Sequence, residues 1–279
     1  MRKILCIVAT VAAAAACSHD RTYPERHFTW SGDIASGATA KIRNVDGGIA
    51  ILASADNKLT VDAVIVNAAP SAVSVKLAMQ GTDVLFCTDI ASRKSSACND
   101  AGVHVTTFAP WKLFSRSHPI TVRYTMHVPA GVKVDVETVN GSVAAQNIAA
   151  SVKAATMNGN VSISTTNGTV NAETVNGSIV ASMAQLPDSG NVHLETVNGS
   201  ITSVIPEGIG GRINLENVNG AITASYPNAV PDSGDKPHMP LQLARGALRV
   251  HLETGNASGT TTRYCTSAPL PAAPPPATT

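Results

Sequence analysis

The hexapeptide ETVNGS occurs three times without change, at residues 137–142, 173–178 and 195–200, and a fourth copy, ENVNGA, stands at 216–221. Such strict recurrence means either that one chemical site is multiplied or that one structural unit is stacked. The dipeptide inside it constrains the choice. Asn-Gly occurs as Asn140-Gly141, Asn158-Gly159, Asn167-Gly168, Asn176-Gly177, Asn198-Gly199 and Asn219-Gly220, with Asp46-Gly47 and ETGNAS (253–258) as degraded relatives. The spacings are 18, 9, 9, 22 and 21 residues. Both residues of Asn-Gly accept positive φ, which makes the pair a strong turn signal. A meander of hairpins would alternate turn types at its two ends, whereas here one motif recurs in one sense. A 9-residue half-coil and an 18–22-residue coil suit parallel strands stacked in a solenoid, with Asn-Gly at the corners. Stacked Asn side chains would then hydrogen-bond to one another in a ladder.

The predicted fold class is therefore all-β: a β-helix-like solenoid of Asn-Gly-cornered coils, preceded by a strand-rich N-terminal part. Period-2 patterns rich in β-branched residues predict strands at 41–52, 58–66, 74–79, 120–128 and 132–139. No window beyond the N-terminus sustains a 3.6-residue period. Four Phe, two Trp and four Tyr in 279 residues suit a thin core of Val, Ile and Ala. The longer spacings imply inserted loops at 181–191, 203–211 and 224–241.

The first residues, MRKILCIVATVAAAAACSHD, place Arg2 and Lys3 before an apolar run from Ile4 to Ala16. That run is short for a membrane span and has the layout of a secretory signal. Small residues at 14–16 followed by Cys17 resemble a bacterial lipobox, in which the Cys is lipidated and becomes the new N-terminus. Ala14 stands where a larger aliphatic residue is usual, and simple cleavage after an A-x-A site is the competing reading. Ser18 after the Cys, by the bacterial sorting rule, implies the outer membrane. Losing Arg2 and Lys3 from the 20 basic residues leaves 18 against 19 acidic ones. That balance argues against nucleic acid as a partner. The expected layout is a signal at 1–16, an anchor and linker at 17–27, the strand-rich part at 28–130, the repeat solenoid at 131–265 and a Pro-rich disordered tail at 266–279.

Of the remaining cysteines, Cys87 and Cys98 bracket a polar loop and form a candidate disulfide for an oxidising compartment, with Cys265 as the alternative partner. No C-x-x-C and no His at zinc spacing accompanies them, so no metal site is expected.

The stretch HVPAGVKVDVETVNGSV (127–143) resembles the hinge of a bacterial putative-adhesin domain of unknown function, number 4097 in that series. There a v-P-x-G-v strand leads into repeated t-v-n-G-s-I coils. AKIRNVDGGIAIL (40–52) is similar to that family's first motif, and ADNKLTVDAVIVN to its next strand; together the resemblance covers about residues 28–264. It implies a β-helix-like domain on an exported or envelope protein and an adhesin-like binding or structural role, and it supplies no catalytic residues to carry over; no cofactor is expected. The segment around Cys87 and Cys98 and the Pro-rich insertion depart from the family pattern.

One constellation could carry chemistry. If coils stack, Glu137, Glu173, Glu195 and Glu216 fall in one column, with Ala155 between the first two and Glu253 beyond. Carboxylates at a strand spacing of about 4.8 Å repel, which would raise their pKa values or recruit a cation. A polysaccharide-cleaving acid pair is the sharper alternative. A plain solvated stripe is the favoured reading, because Glu137 alternates with apolar Val134 and Val136 and so points outwards. The nine-residue spacing lacks the Asp of calcium-binding nonapeptides. No G-x-S-x-G, H-E-x-x-H or P-loop motif occurs. The Asn-Gly-Ser/Thr triplets read as turn chemistry and not as glycan acceptors.

The segment TFAPWKLFSRSHP (107–119) gathers Trp111, Lys112, Phe114 and Arg116. It is either a contact loop for sugar, lipid or protein, or a cap over an open solenoid end. The expected protein is an exported, lipid-anchored surface module that binds envelope or extracellular polysaccharide or protein. Homotypic association through open solenoid ends is a further expectation.

Overall fold

The computed structural model describes residues 23–91, 120–186, 191–204, 211–225, 241–242 and 248–256. Among them every regular element is a strand. In chain order the first seven are β1 Arg26–Gly32, β2 Thr39–Arg43, β3 Ile49–Ala53, β4 Leu59–Val66, β5 Val73–Gln80, β6 Asp83–Ile90 and β7 Thr121–Val128. The repeats contribute β8 Lys133–Asn140, β9 Val143–Ile148, β10 Val152–Asn158, β11 Val161–Thr165, β12 Val170–Asn176 and β13 Ile179–Met183. They continue as β14 Asn191–Asn198, β15 Ile201–Val204, β16 Gly211–Asn219 and β17 Ile222–Ser225, followed by β18 Leu241–Gln242 and β19 Leu248–Asn256.

These strands form two sheets. One has nine strands in the order β1-β4-β7-β3-β9-β11-β13-β15-β17, the other ten in the order β18-β19-β16-β14-β12-β10-β8-β2-β6-β5. From β8 onwards the chain lays one strand in the ten-stranded sheet, turns at Asn-Gly, lays the next in the nine-stranded sheet and returns. All pairs between successive coils are parallel. The molecule is a two-sheet β-solenoid.

The alternation of apolar and polar residues puts one face of each strand inside. Val136, Ala154, Ala172 and Leu194 are register neighbours on the inner face of the ten-stranded sheet, and all are fully buried. Val143, Val161, Ile179, Ile201 and Ile222 form the matching inner column of the nine-stranded sheet. Small and β-branched side chains suffice because the gap between packed sheets is only about 10 Å.

The strand predicted at 41–52 is in fact a whole coil. It folds at Asp46-Gly47 into β2 and β3, which pair in parallel with β8 and β9. Its far side pairs with β6 and β7, so the chain passes back over its own first coil before the repeats begin. At this end β4, β1 and β5 add antiparallel to β7, β4 and β6. Aromatic residues meet here: Trp30 and Phe28 contact Phe86 edge to face at 5.3 and 6.4 Å. Antiparallel additions with a thicker aromatic core close an end whose parallel edges would otherwise template further strands. One continuous apolar core runs from this cap into the coils.

Candidate binding face

The geometry of the face is set at the corner. Asn158 Nδ2 donates to Asn140 Oδ1 at 2.8 Å, and Asn176, Asn198 and Asn219 each donate to the preceding Asn at 2.9 Å. At the start of the ladder Asp46 accepts from Asn140. One position outwards, the glycine N–H runs the other way: Gly141, Gly159, Gly177 and Gly199 donate to the backbone carbonyls of Asn158, Asn176, Asn198 and Asn219. Two positions before each Asn the strand turns a Thr inwards. Thr156, Thr174 and Thr196 donate to the carbonyl oxygens of Gly141, Gly159 and Gly177 at 2.8–3.0 Å, and Asn217 Nδ2 does the same to Gly199. The inward donors and the glycine N–H groups of the corner thus find partners one coil away, as buried polar groups require, and the buried Oδ1 of Asn217 is an exception.

Gly47, Gly141, Gly168 and Gly220 have positive φ, as turn residues do, but Gly159, Gly177 and Gly199 are needed for a different reason. Among the described residues the non-glycine residues with positive φ are Asn57, Asn67 and Asn147, none of them in the ladder. The ladder Asn residues end their strands in extended backbone. A Cβ on Gly159, Gly177 or Gly199 would fall 1.9–2.2 Å from the carbonyl oxygen of the glycine one coil earlier. Close backbone approach between coils selects Gly. Asn167-Gly168 lies at the opposite corner, between β11 and β12, where a Gly168 Cβ would fall 2.4 Å from the carbonyl carbon of Ala150.

The outer face of the ten-stranded sheet carries three columns. The first follows the register Arg43, Glu137, Ala155, Glu173, Glu195, Glu216 and Glu253, as the spacing predicts. Glu137 is tied to the buried guanidinium of Arg43, whose Nε lies 3.6 Å from it and whose Nη2 lies 2.8 Å from Asp135. Ala155 interrupts the column, and Glu173, Glu195 and Glu216 then follow on consecutive strands. His193 Nε2 approaches Glu195 Oε2 at 3.3 Å. The second column stands between the Glu column and the Asn ladder: Met157, Val175, Val197 and Val218 follow one another, with Met157, Val175 and Val218 exposed, while Val139 at its start is partly buried and packs against the core. The third column is mixed: Asp135, Lys153, Asn171 and His193.

In-register residues on one sheet face project in the same direction. The three carboxylates therefore stand side by side and do not face one another across a cleft, whereas a glycosidase pair flanks its bond. Among the described residues no group of three or more His, Cys, Asp or Glu is arranged to hold a metal ion. What the face offers is a strip of negative charge beside a strip of apolar side chains, repeated at the coil spacing of about 4.8 Å.

The structure also holds features that sequence reasoning missed. The apolar column was one; counting the alternation outwards from Glu would have put Thr inside and Val outside. Another is a buried hydrogen-bonded cluster: Asn44 Nδ2 donates to the carbonyls of Gly47 and Val122, and its Oδ1 accepts from Thr88, whose hydroxyl also meets Tyr124 Oη at 2.9 Å. Burial raises the Tyr124 phenol far above its ordinary value, with the Thr88 bond opposing. Cys87 is buried in β6. Cys17, Cys98, Cys265 and the segment with Trp111, Lys112, Phe114 and Arg116 lie outside the described residues.

Parallel coils, an Asn-cornered backbone and an inner Thr column define the class: a two-sheet β-solenoid. The chain belongs to the Toastrack DUF4097 family, whose model matches residues 29–236. Solved structures resemble it at low identity. A protein from Clostridium sporogenes ATCC 15579 described as a "putative cell adhesion protein" is 8% identical, with a TM-score of 0.45 over 86% of this chain and 98% of that one. A "putative adhesin" from Bacteroides fragilis NCTC 9343 is 13% identical, with a TM-score of 0.39 over 86% and 96%. No curated protein matches the chain by sequence.

Proposed function

We propose that this chain is an exported protein anchored to the bacterial outer membrane through lipid on Cys17, and that it works as an adhesin-like binding module. The observation that carries the binding role is the paired acidic and apolar columns on the outer face of the ten-stranded sheet. A rigid stack that repeats the same two contacts at each coil suits a repetitive ligand, such as an envelope or extracellular polysaccharide, or another protein surface. Affinity would come from many weak contacts held at fixed spacing. The anchor is supported by the basic, apolar and small-residue sequence that precedes Cys17.

Two experiments test the reading. Metabolic labelling with a palmitate analogue should label the wild type and not Cys17→Ser; an unlabelled wild type overturns the anchor. Cell-envelope polysaccharide retained by the purified protein should be lost on replacing Met157 and Val175 together by Lys. It should largely persist in the Glu173→Gln/Glu195→Gln double variant, because Gln keeps the shape and hydrogen-bonding reach of Glu. Polysaccharide cleavage that disappears in the Gln variant would instead establish the enzyme reading.

A further inference from the structure

Six Asn-Gly pairs in one chain pose a chemical hazard. The backbone nitrogen of a residue after Asn can attack the Asn side-chain carbonyl, and Gly, lacking a Cβ, hinders that attack least. Four of the pairs are locked at both reacting groups, and in a fifth the Asn219 side chain is held by Asn198. Asn140, Asn158, Asn176 and Asn198 end strands β8, β10, β12 and β14, and each donates its Nδ2 to the preceding coil. The nitrogens that would attack, those of Gly141, Gly159, Gly177 and Gly199, each donate to the next coil's Asn carbonyl. Both reacting groups are thus engaged, and extended backbone carries the glycine nitrogen away from the side-chain carbon.

Asn167-Gly168 differs at each point. It sits in the bend between β11 and β12, outside any strand, and Asn167 is exposed. Among the described residues neither the Asn167 side chain nor the Gly168 N–H makes a hydrogen bond. Its neighbours are held: Thr166 N–H donates to the Ile148 carbonyl, and Thr169 donates through both N–H and Oγ1 to Ser151 Oγ. The attacking and attacked groups are therefore not held by hydrogen bonds, on a bend whose two flanks are fixed, with Asn167 exposed and Gly168 buried.

We propose that Asn167 is a site of spontaneous, water-driven modification, and that the coil ladder protects the stacked Asn-Gly pairs from the same reaction. The Gly168 nitrogen loses its proton and bonds to the Asn167 Cγ. The Cγ–Nδ2 bond breaks and Nδ2 leaves as ammonia, taking up a proton. The resulting succinimide adds one water at either carbonyl and opens to Asp or to isoaspartate. The net change is one water consumed and one ammonia released, with no oxidant or reductant. The product places a carboxylate at a corner where the chain had none. In the isoaspartate form it also lengthens the backbone by one methylene beside Gly168, where a Cβ already has no room against Ala150.

The test is peptide mapping by mass spectrometry of the folded protein held at mildly alkaline pH, with a denatured sample in parallel. In the folded protein Asp and isoaspartate should accumulate at Asn167 about tenfold or more faster than at Asn140, Asn158, Asn176 and Asn198, since two hydrogen bonds must break before those react. In denaturant the five sites should converge. Asn167→Gln should remove most of the ammonia released by the folded protein. Equal rates at Asn167 and the ladder sites in the folded state overturn the proposal. So does an inert Asn167 in a folded sample whose denatured counterpart reacts, or undiminished ammonia release from Asn167→Gln.

Discussion

Thr174 Oγ1 donates a 3.0 Å hydrogen bond to the carbonyl oxygen of Gly159 in the preceding coil. The same oxygen lies 2.0 Å from where a Cβ on Gly177 would fall. One carbonyl thus explains two letters of the repeat: the Thr that satisfies it and the Gly that makes room for it.

Gly177→Ala should cost about 3 kcal/mol or more, because the clash is with backbone of the preceding coil and no side chain can yield. Gly81→Ala is the control. Gly81 has φ of +64° but nothing within 4 Å of an added Cβ. It should cost only about 1 kcal/mol, from the strain of a left-handed residue. Urea unfolding of both variants measures the difference.

Thr174→Val should destabilise by about 1–2 kcal/mol, since it removes the donor and leaves the Gly159 carbonyl unpaired. Thr165 is equally buried, but its hydroxyl oxygen has no partner. Thr165→Val should therefore be neutral or stabilising. Similar losses in the two variants would contradict the assignment of the Thr column.

Asp83 accepts the Thr39 N–H at 2.9 Å and pairs with Lys41 at 3.1 Å, joining the coil of β2 to β6. The Thr39 bond first, and Lys41 after it, hold its carboxyl below the ordinary aspartate value against the opposing effect of burial. A depressed folded-state pKa contributes stability at pH above the unfolded value and loses it as pH falls through the folded one. Stability should drop in that acidic window, and Asp83→Asn should flatten this part of the profile. Tyr124 acts at the other end: its raised phenol stays neutral where the unfolded chain ionises, so stability falls as pH climbs past the ordinary tyrosine value. Denaturation midpoints from pH 2 to 11 read both arms.

Non-reducing peptide mapping should recover Cys87 joined to Cys98. The short loop this closes should contribute about 2–3 kcal/mol, lost on reduction or in Cys98→Ser. A Cys87–Cys265 peptide would reassign the bridge.

Glu173→Gln should stabilise the protein by a few tenths of a kcal/mol at low ionic strength, by relieving repulsion from Glu195 on the neighbouring strand. The gain should vanish in about 1 M salt, where the screening length is about 3 Å.

The recurrence of ETVNGS was enough to predict parallel coils, the Asn ladder and the alignment of Glu173, Glu195 and Glu216, because identical segments at a coil's spacing stack in one register only. The alternation around Val134 and Val136 was enough to turn Glu137 outwards. Local pattern could not show what fills the space between coils. The glycines were read as turn residues, which the positive φ of Gly141, Gly168 and Gly220 bears out, while at Gly159, Gly177 and Gly199 contact with the preceding carbonyl selects them. The run 41–52 was read as one strand, although Asp46-Gly47 folds it into a coil whose bridge to Asn140 spans most of the N-terminal part. The return of β6 and β7 to the far side of that coil, the Arg43 clamp on Asp135 and Glu137, and the separate corner of Asn167 likewise depend on partners distant in sequence. A period along the chain specifies which residues repeat, and only packing across the coils decides which atoms they meet.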